Sequence, residues 1–146
     1  EAKKFIDQYF ALYKKVKVYM EKTVAEAKEV GYTQTMMNRK RYLPDLKSQN
    51  RQLREAAGRV AINSPVQGSA ADLIKLAMIR LAQKIRKKKL KSRMILQVHD
   101  ELVFECPEEE EQEMRALVKK EMEGVVALKV PLVVDMGWGK NWNTAH

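Results

Sequence analysis

The residues of this sequence best suited to metal chemistry lie at Gln97-Val98-His99-Asp100-Glu101. Short apolar runs over residues 94–98 and 102–106 flank them, so the stretch is predicted to form the tip of a β-hairpin. Carboxylates are the ligands that a phosphate-bound Mg²⁺ prefers. Because a strand points successive side chains to opposite faces, Asp100 and Glu101 should not both reach the same ion.

The metal site also looks incomplete on spacing alone. A two-metal site needs carboxylates from more than one strand, and Asp135 is the one other acidic residue at a comparable predicted strand end. A solvated acidic turn is therefore the alternative interpretation of His99-Asp100-Glu101.

A second stretch, residues 63–72, combines polar side chains with a glycine. Asn63 and Gln67 could make hydrogen bonds to base edges or sugars, and Gly68 would let another backbone come close. The same residue types also fit the ordinary chemistry of a helix boundary.

Basic residues form a third set that could follow a phosphate backbone. Its members are Arg39, Lys40, Arg41, Arg51, Arg54 and Arg59. A denser run over residues 84–93 holds seven basic residues in ten. That run ends a predicted helix, where cations are favoured in any case, so a solvated helix end is the simpler interpretation.

The hydrophobic periodicities predict an α+β arrangement of elements that would position these residues. The first half is predicted to contain helices over 1–12 and 14–30 with Gly31 as C-cap, a hairpin or arm over 32–43, and a short basic helix over 49–62. A bent or two-part helix then runs to about Leu90. It is followed by the hairpin around Asp100, a helix opened by Pro107, and a last strand over 128–136. The start of the fourth helix is predicted either at Ser64-Pro65 or at the capping-box pattern Ser69-Ala70-Ala71-Asp72. Aromatic residues at helical spacing over 5–19 are expected in the core.

Composition and charge narrow the class of protein. The 146 residues are 45% apolar, and a single cysteine, Cys106, excludes an internal disulfide and a cysteine-based zinc site. The net charge of +9 divides into +15 over residues 1–93 and −6 over residues 94–146. This division fits a polyanionic partner together with a bound cation. No apolar run is long enough for a membrane-spanning helix, and one cysteine fits a reducing, cytoplasmic compartment.

Taken together, the motifs resemble the C-terminal part of bacterial family A DNA polymerases, of the polymerase I type. The resemblance covers essentially all of the chain in order. It is carried by Gly31-Tyr32 through Arg39-Lys40-Arg41-Tyr42-Leu43-Pro44-Asp45, by Arg59-Val60-Ala61-Ile62-Asn63 running into Gln67-Gly68-Ser69-Ala70-Ala71-Asp72, by Gln97-Val98-His99-Asp100-Glu101-Leu102-Val103, and by Asn141-Trp142 before Ala145-His146.

The resemblance implies two structural segments. Residues 1–62 would be a helical segment from the end of the fingers, with a basic arm, and residues 63–146 would be the C-terminal portion of the palm. In the palm portion, the hairpin and the C-terminal strand would form an antiparallel sheet packed on helices.

It also implies roles in nucleotidyl transfer, in which a primer 3′-hydroxyl attacks the α-phosphate of a deoxynucleoside triphosphate (dNTP) with two Mg²⁺ ions. Asp100 would be a catalytic metal ligand, Glu101 the neighbouring carboxylate, and His99 would lie near the primer 3′ end. Asn63 and Gln67 would contact the duplex close to the new base pair. The remaining DNA-binding candidates are Arg59 on the template backbone and the cations Arg39, Arg41, Arg51 and Arg54.

The family's other catalytic aspartate and its nucleotide-binding helix do not occur in these residues. We therefore expect the isolated chain to be inactive and to depend on a missing N-terminal part. A first helix that begins without an N-cap also suggests that the natural chain extends upstream of Glu1. The absent strand would leave an apolar sheet edge exposed, through which the chain could self-associate. Primer-template DNA and dNTP are the expected partners, with no membrane and with a bacterial, nucleoid-associated cytoplasmic location.

Three other interpretations remain open at this point. The first is a stand-alone basic nucleic-acid-binding module without catalysis, which would give Asp100 no role. The second is a phosphohydrolase with a His-Asp metal pair, although such enzymes need more histidine ligands than His99 and His146. The third is a polymerase relic that acts as a scaffold.

Overall fold

The computed structural model describes residues 1–145, and His146, the last residue of the C-terminal motif, lies outside that range. The fold is α+β, as predicted. The elements are helices α1 (Ala2–Leu12) and α2 (Lys14–Val30), strands β1 (Tyr32–Gln34) and β2 (Lys40–Tyr42), a 3₁₀ turn (Pro44–Lys47), helix α3 (Arg51–Lys88), strands β3 (Arg93–Val98) and β4 (Glu101–Glu105), a 3₁₀ turn (Glu108–Glu110), and helices α4 (Glu111–Glu123) and α5 (Trp142–Ala145). Each strand pair forms a two-stranded antiparallel sheet.

The chain divides into two compact units, and the boundary falls after Ala70, inside α3. Unit 1 contains α1, α2, β1, β2 and the first half of α3, and unit 2 contains the rest. Across the described part of the chain, no helix combines the length and the apolar character needed to cross a membrane.

The end of α2 and the arm that follows it agree with the sequence. Gly31 adopts φ 85°, a left-handed conformation that costs glycine little, and its N–H donates to the Ala27 carbonyl at 2.8 Å. The arm, formed by β1, β2 and their connecting turn, reverses direction near Asn38, which has φ 61°. The predicted hairpin over residues 32–43 is therefore confirmed.

Small apolar side chains pack together in the core of unit 1. The buried cluster consists of Ala27, Leu43, Leu46, Ala57 and Ala61. Alanine at these helix positions lets the backbones of α2 and α3 come close to the 3₁₀ turn, so the two leucines, Leu43 and Leu46, can fill the space between them.

The aromatic residues over 5–19 are not in the core, so that prediction is wrong. Phe5 is 74% exposed and Tyr13 is 50% exposed. The aromatic rings that Tyr9 contacts belong to its neighbours in the chain, with centroid distances of 5.3 Å to Phe10 and 4.9 Å to Tyr13. The periodicity determines which side of α1 is apolar, whereas burial requires another element on that side. Within residues 1–145 this stripe stays open to solvent.

Helix α3 is continuous, which corrects the prediction of separate helices with a start near residues 64–65 or 69. Asn50 caps its beginning, because its Oδ1 accepts the N–H two residues on at 2.8 Å. Pro65 lies inside the helix. The Ser69 hydroxyl donates to the Pro65 carbonyl, and its oxygen accepts the N–H of Met36 at 2.9 Å. Ser69 is thus an interior helix residue whose hydroxyl joins the Pro65 carbonyl to the arm.

A Schellman motif ends α3. The N–H of Leu90 donates to the Ile85 carbonyl and the N–H of Lys89 donates to the Arg86 carbonyl, each at 3.1 Å. Lys89 has φ 56°, the left-handed conformation in which glycine is the usual residue. Leu90 and Ile85 both join the core of unit 2, so the accompanying apolar contact is also present.

The predicted hairpin around Asp100 is confirmed by β3 and β4. Met94 pairs with Phe104 and Leu96 pairs with Val103, so Ile95 is an extra, bulged residue. The pairs alternate between faces, and the face carrying Met94 and Phe104 packs against the core of unit 2. Ile95 and Leu96 are 59% and 44% exposed, which leaves an apolar strip of β3 open.

The core of unit 2 joins α3, the hairpin and α4 through Leu81, Ile85, Met114, Leu117 and Val118. A cluster of hydrogen bonds around Glu110 lies at the edge of this core. The Glu110 carboxylate accepts the N–H groups of Lys91 and Ser92 at 2.8 and 2.9 Å and lies 2.6 Å from the Ser92 hydroxyl. These hydrogen bonds, that of the Ser92 side chain first, lower the pKa of Glu110.

The expected last strand over residues 128–136 is not formed, so this prediction is wrong. The segment is held on α4 instead: the Val134 N–H donates to Glu123 at 3.2 Å, and Arg115 donates to the Met136 carbonyl at 3.4 Å. A strand needs a neighbour for its backbone hydrogen bonds, and in the described residues β3 and β4 pair only with each other.

Candidate nucleic-acid interface and acidic turn

The arm and the middle of α3 enclose an open groove of about 300 Å³ in unit 1. Its lining is polar and basic, with residues from the arm on one side and from α3 on the other. The lining residues are Thr33, Gln34, Thr35, Arg39, Lys40, Arg41, Ser64, Gln67 and Gly68. The fold therefore brings together Gln67 with Arg39 and Arg41, which were predicted from separate parts of the sequence.

Gly68 allows the close approach that forms this groove. A Cβ at Gly68 would lie 2.7 Å from Cγ2 of Thr35, far closer than two carbon atoms pack. A close approach at Gly68 is therefore present, but the approaching group is the side chain of Thr35 and not the backbone that was predicted. Thr35 also organises the turn of the arm, because its Oγ1 accepts the N–H groups of Met37 and Arg39 at 3.2 Å each.

Three of the predicted DNA contacts share one face of α3. Arg59, Asn63 and Gln67 follow each other at intervals of four residues, so their side chains lie in a row along the helix. All three are exposed. A duplex that reached this face could therefore meet a cation and two amides in succession.

The cations of the arm differ in their surroundings. Lys40 lies over the Tyr32 ring, with 4.3 Å from its Nζ to the ring centroid. Arg39 and Arg41 are exposed. The two strands are short, so these guanidinium groups project from a narrow arm and not from a broad sheet.

The arginines at the start of α3 are engaged within the protein. Arg51 donates a hydrogen bond to Glu55 at 2.6 Å, and this bond, followed by the attraction of the two charges, raises the pKa of Arg51 and lowers the pKa of Glu55. Arg54 donates to the Ser48 carbonyl at 2.8 Å and thereby fixes the loop before α3. Both predicted DNA contacts would have to share their guanidinium groups with these partners.

Sequence reasoning did not find two hydroxyl groups that line the groove. The hydroxyls of Thr33 and Ser64 are buried and have no hydrogen-bond partner among residues 1–145, and both residues line the groove. A buried hydroxyl without a partner is costly, so these groups are suited to a water or ligand oxygen. A lone threonine and a lone serine carry no signal in the sequence that would have marked them.

The acidic turn belongs to unit 2. Val98 pairs with Glu101, so His99 and Asp100 form a two-residue hairpin loop. His99 has φ 51°, a conformation that is strained for a non-glycine residue. The Gln97 side chain stabilises the loop by donating to the His99 carbonyl at 2.7 Å. The sequence pattern therefore predicted this turn to within one residue.

The position of the turn separates its two carboxylates. Asp100 is exposed in the loop, whereas Glu101 is the first residue of β4 and is half-buried. Their hard oxygen atoms suit Mg²⁺ in kind. In the part of the chain that the structure describes, however, no group of three or more acidic, histidine or cysteine side chains is arranged to hold a metal ion. These residues do not form a complete metal site by themselves.

Comparison with known proteins identifies the class to which this chain belongs. The family described as DNA polymerase family A matches residues 1–144. The chain is therefore a member of the family A DNA polymerases.

Particular relatives share this region at high identity. The chain is 56% identical over 142 residues to DNA polymerase I of Caldicellulosiruptor bescii, covering 97% of the chain and 17% of that protein. It is 52% identical over 145 residues to DNA polymerase I of Bacillus subtilis, covering 99% of the chain and 16% of that protein. The chain thus spans about one-sixth of the length of these relatives.

A solved structure shows the same fold. It is described as the POL domain of Pol1 from M. smegmatis in complex with DNA primer-template and dNTP. Its sequence is 50% identical to this chain, the TM-score is 0.97, and the match covers 99% of this chain and 26% of that one.

Proposed function

We propose that this chain serves in template-directed DNA synthesis, in replication and repair, as the C-terminal portion of a bacterial polymerase I. Residues 1–62 would belong to the end of the fingers and residues 63–146 to the palm. The observation that carries the proposal is the match along nearly the whole chain to a polymerase domain that holds primer-template and dNTP. The reaction is nucleotidyl transfer to a primer 3′-hydroxyl.

The exposed face of α3 and the groove beside it support a role in holding the duplex. Arg59 would contact the template backbone, and Asn63 and Gln67 would contact base edges near the new pair. Minor-groove acceptors occur in every base pair, so two amides can check pairing without reading sequence. The cations Arg39, Arg41, Arg51 and Arg54 would neutralise backbone phosphates, the last two while keeping their internal partners.

The acidic turn would supply part of the reaction centre. Asp100, exposed in the loop, would be one Mg²⁺ ligand, Glu101 would stand beside it, and His99 would lie near the primer end. Bound Mg²⁺ would neutralise charge on the attacking and leaving oxygens. The remaining ligands would come from a part of the polymerase outside these residues, so the chain alone is expected to be inactive. The open strip of β3, with Ile95 and Leu96, is where that part or a second copy would pair.

Duplex binding tests the role of the α3 face. Fluorescence anisotropy of a labelled primer-template would compare the chain with the double variant Asn63→Ala/Gln67→Ala and with the matched control Gln83→Ala/Gln112→Ala, which alters exposed residues elsewhere. We expect binding at least about thirtyfold weaker for the first variant, since each of the two lost amide contacts contributes about 1–3 kcal/mol, and less than a twofold change for the control. Equal binding by all three proteins would contradict the assignment.

Primer extension tests the other half of the proposal. The isolated chain should add no nucleotide with Mg²⁺ and dNTP present, and metal-dependent extension would refute the expected inactivity. A stand-alone nucleic-acid-binding module is the second candidate. Two results would favour it. With primer-template bound, Mg²⁺ would not shift the NMR signals of the backbone amides of residues 99–101. The variant Asp100→Asn would also bind the duplex as the parent chain does.

A further inference from the structure

The basic run at the end of α3 contains two kinds of cation. Three of its seven basic residues make ion pairs: Lys88 with Glu113 at 2.6 Å, Lys91 with Glu109 at 3.6 Å, and Arg93 with Glu105 at 3.0 Å. The other four have no acidic partner within 4 Å in residues 1–145. These four are Lys84, Arg86, Lys87 and Lys89, and all are exposed.

The helix end explains only part of this charge. Cations near a helix C-terminus are favoured by the dipole, but the effect fades beyond the last turn. Lys84 and Lys87 lie on the same side at a spacing of three, where like charges repel. Lys89 holds a left-handed conformation, φ 56°, that glycine would adopt with less strain. The sequence therefore retains unpaired charge at this end against local preferences.

The chemistry of the exposed side favours a phosphate backbone as the partner. Between Lys84 and Lys89 the one apolar side chain, Ile85, is buried in the core of unit 2. No aromatic residue occurs between them on which a single-stranded base could stack. No exposed apolar group between them could enter a lipid surface. What remains is a compact set of cations, which suits the rigid, regularly charged surface of a duplex.

The geometry points to a sequence-independent binding site for duplex nucleic acid at the end of α3. It is separate from the acidic turn, because β3 runs from Arg93 to Val98 between them, roughly 17 Å at about 3.3 Å per residue. The site would hold duplex away from the turn. It goes beyond the proposed function, and its failure would leave that function unchanged.

The test isolates this end from the groove. The whole chain carrying Arg39→Gln/Arg41→Gln/Arg59→Gln serves as the background, and a blunt 20-base-pair duplex without a primer end serves as the probe. Adding Lys84→Gln/Arg86→Gln/Lys87→Gln should weaken binding about tenfold or more at 0.1 M salt. It should also reduce the slope of log K against log salt by about 2.7, from about 0.9 per phosphate contact.

A matched control removes the same charge elsewhere in unit 2. Lys119→Gln/Lys120→Gln/Lys129→Gln alters three exposed lysines and should change affinity less than twofold. Lys89→Gly removes one cation and also relieves backbone strain, so this variant should stay folded. Its slope of log K against log salt should fall by about 0.9, and such a change would not reflect unfolding. Equal losses of duplex affinity in the triple variant and in the control would overturn the proposal, because net charge and not this site would then determine binding.

Two other probes decide the class of partner. Vesicles of phosphatidylglycerol and phosphatidylcholine, and an acidic polyglutamate peptide, replace the duplex at the same salt. Binding of either probe that depends on Lys84, Arg86 and Lys87 more strongly than duplex binding does would overturn the assignment to nucleic acid. The expected result is dependence for the duplex alone.

Discussion

Replacing Gly68 by alanine tests the contact that forms the groove. In an exposed helix the change would stabilise the protein by about 0.8–1.0 kcal/mol, because glycine is the poorer helix former. Here the added Cβ would lie 2.7 Å from Cγ2 of Thr35, about 1 Å inside the ordinary separation of two carbons. Overpacking of this kind costs about 1–3 kcal/mol, so we expect a net loss near 1 kcal/mol and a displaced arm.

Thr35→Ser provides the compensating change. It removes the methyl group that clashes but keeps the hydroxyl that accepts the N–H groups of Met37 and Arg39. In the Thr35→Ser background, Gly68→Ala should no longer clash and should become neutral or stabilising. The double-mutant cycle should therefore give a favourable coupling energy of about 1–3 kcal/mol.

Two measurements read the cycle. Urea unfolding followed by circular dichroism gives the stability of each variant. Amide exchange of Met36, whose N–H donates to Ser69 at 2.9 Å, reports whether the arm has left α3. Single variants whose effects add to within about 0.5 kcal/mol, or Gly68→Ala with unchanged protection at Met36, would refute the reasoning.

Three further changes test other parts of the fold. Lys89→Gly should stabilise the protein by about 1 kcal/mol because the left-handed residue at φ 56° loses its Cβ strain; a lower urea midpoint would contradict the Schellman assignment. Leu81→Ala should destabilise by about 2–5 kcal/mol, since Leu81 is 0% exposed in the core of unit 2; a thermal midpoint within a degree of the parent would show that this core does not support the unit. The depressed pKa of Glu110 means that its stabilising effect is present above the pKa of the unfolded chain and is lost as the pH falls through the lower folded pKa. Glu110→Gln should therefore lower the urea midpoint at pH 7 and leave it unchanged at pH 2, and equal shifts at both values would exclude a charge effect.

The parts of the fold that follow from local chemistry could be predicted from the sequence. Gly31 ends α2 because only glycine adopts φ 85° without strain, and the apolar runs beside His99-Asp100 leave a two-residue loop as the simplest connection. The breaks predicted at Pro65 and Ser69 failed because contacts from the arm, distant in sequence, support the helix there. Such contacts leave no local pattern.

Some features of the candidate site could likewise be predicted from the sequence, and others could not. Arg59, Asn63 and Gln67 could be predicted as candidate DNA contacts from their residue types, and their exposure agrees with a binding role. Their row along one helix face could not be predicted, because a helix break was expected between them, whereas α3 is continuous there. That Arg54 is held by the Ser48 carbonyl, or that Thr33 has an unsatisfied hydroxyl, depends on packing between segments. Neither could be predicted from residue types.

The extra residue at Ile95 has a consequence for how this hairpin tolerates mutation. Two residues of β3 share one step of β4 there, so Met94 and Leu96 lie on opposite faces although they are two positions apart in the chain. Exchanging Ile95 for another residue changes a mostly solvent-facing side chain. Deleting it would leave Met94 opposite Phe104 and Leu96 opposite Val103, as in a regular ladder, so Met94 would stay on the core face and only the local bend of β3 would be lost. The hairpin should therefore accept both replacement and removal of this one residue.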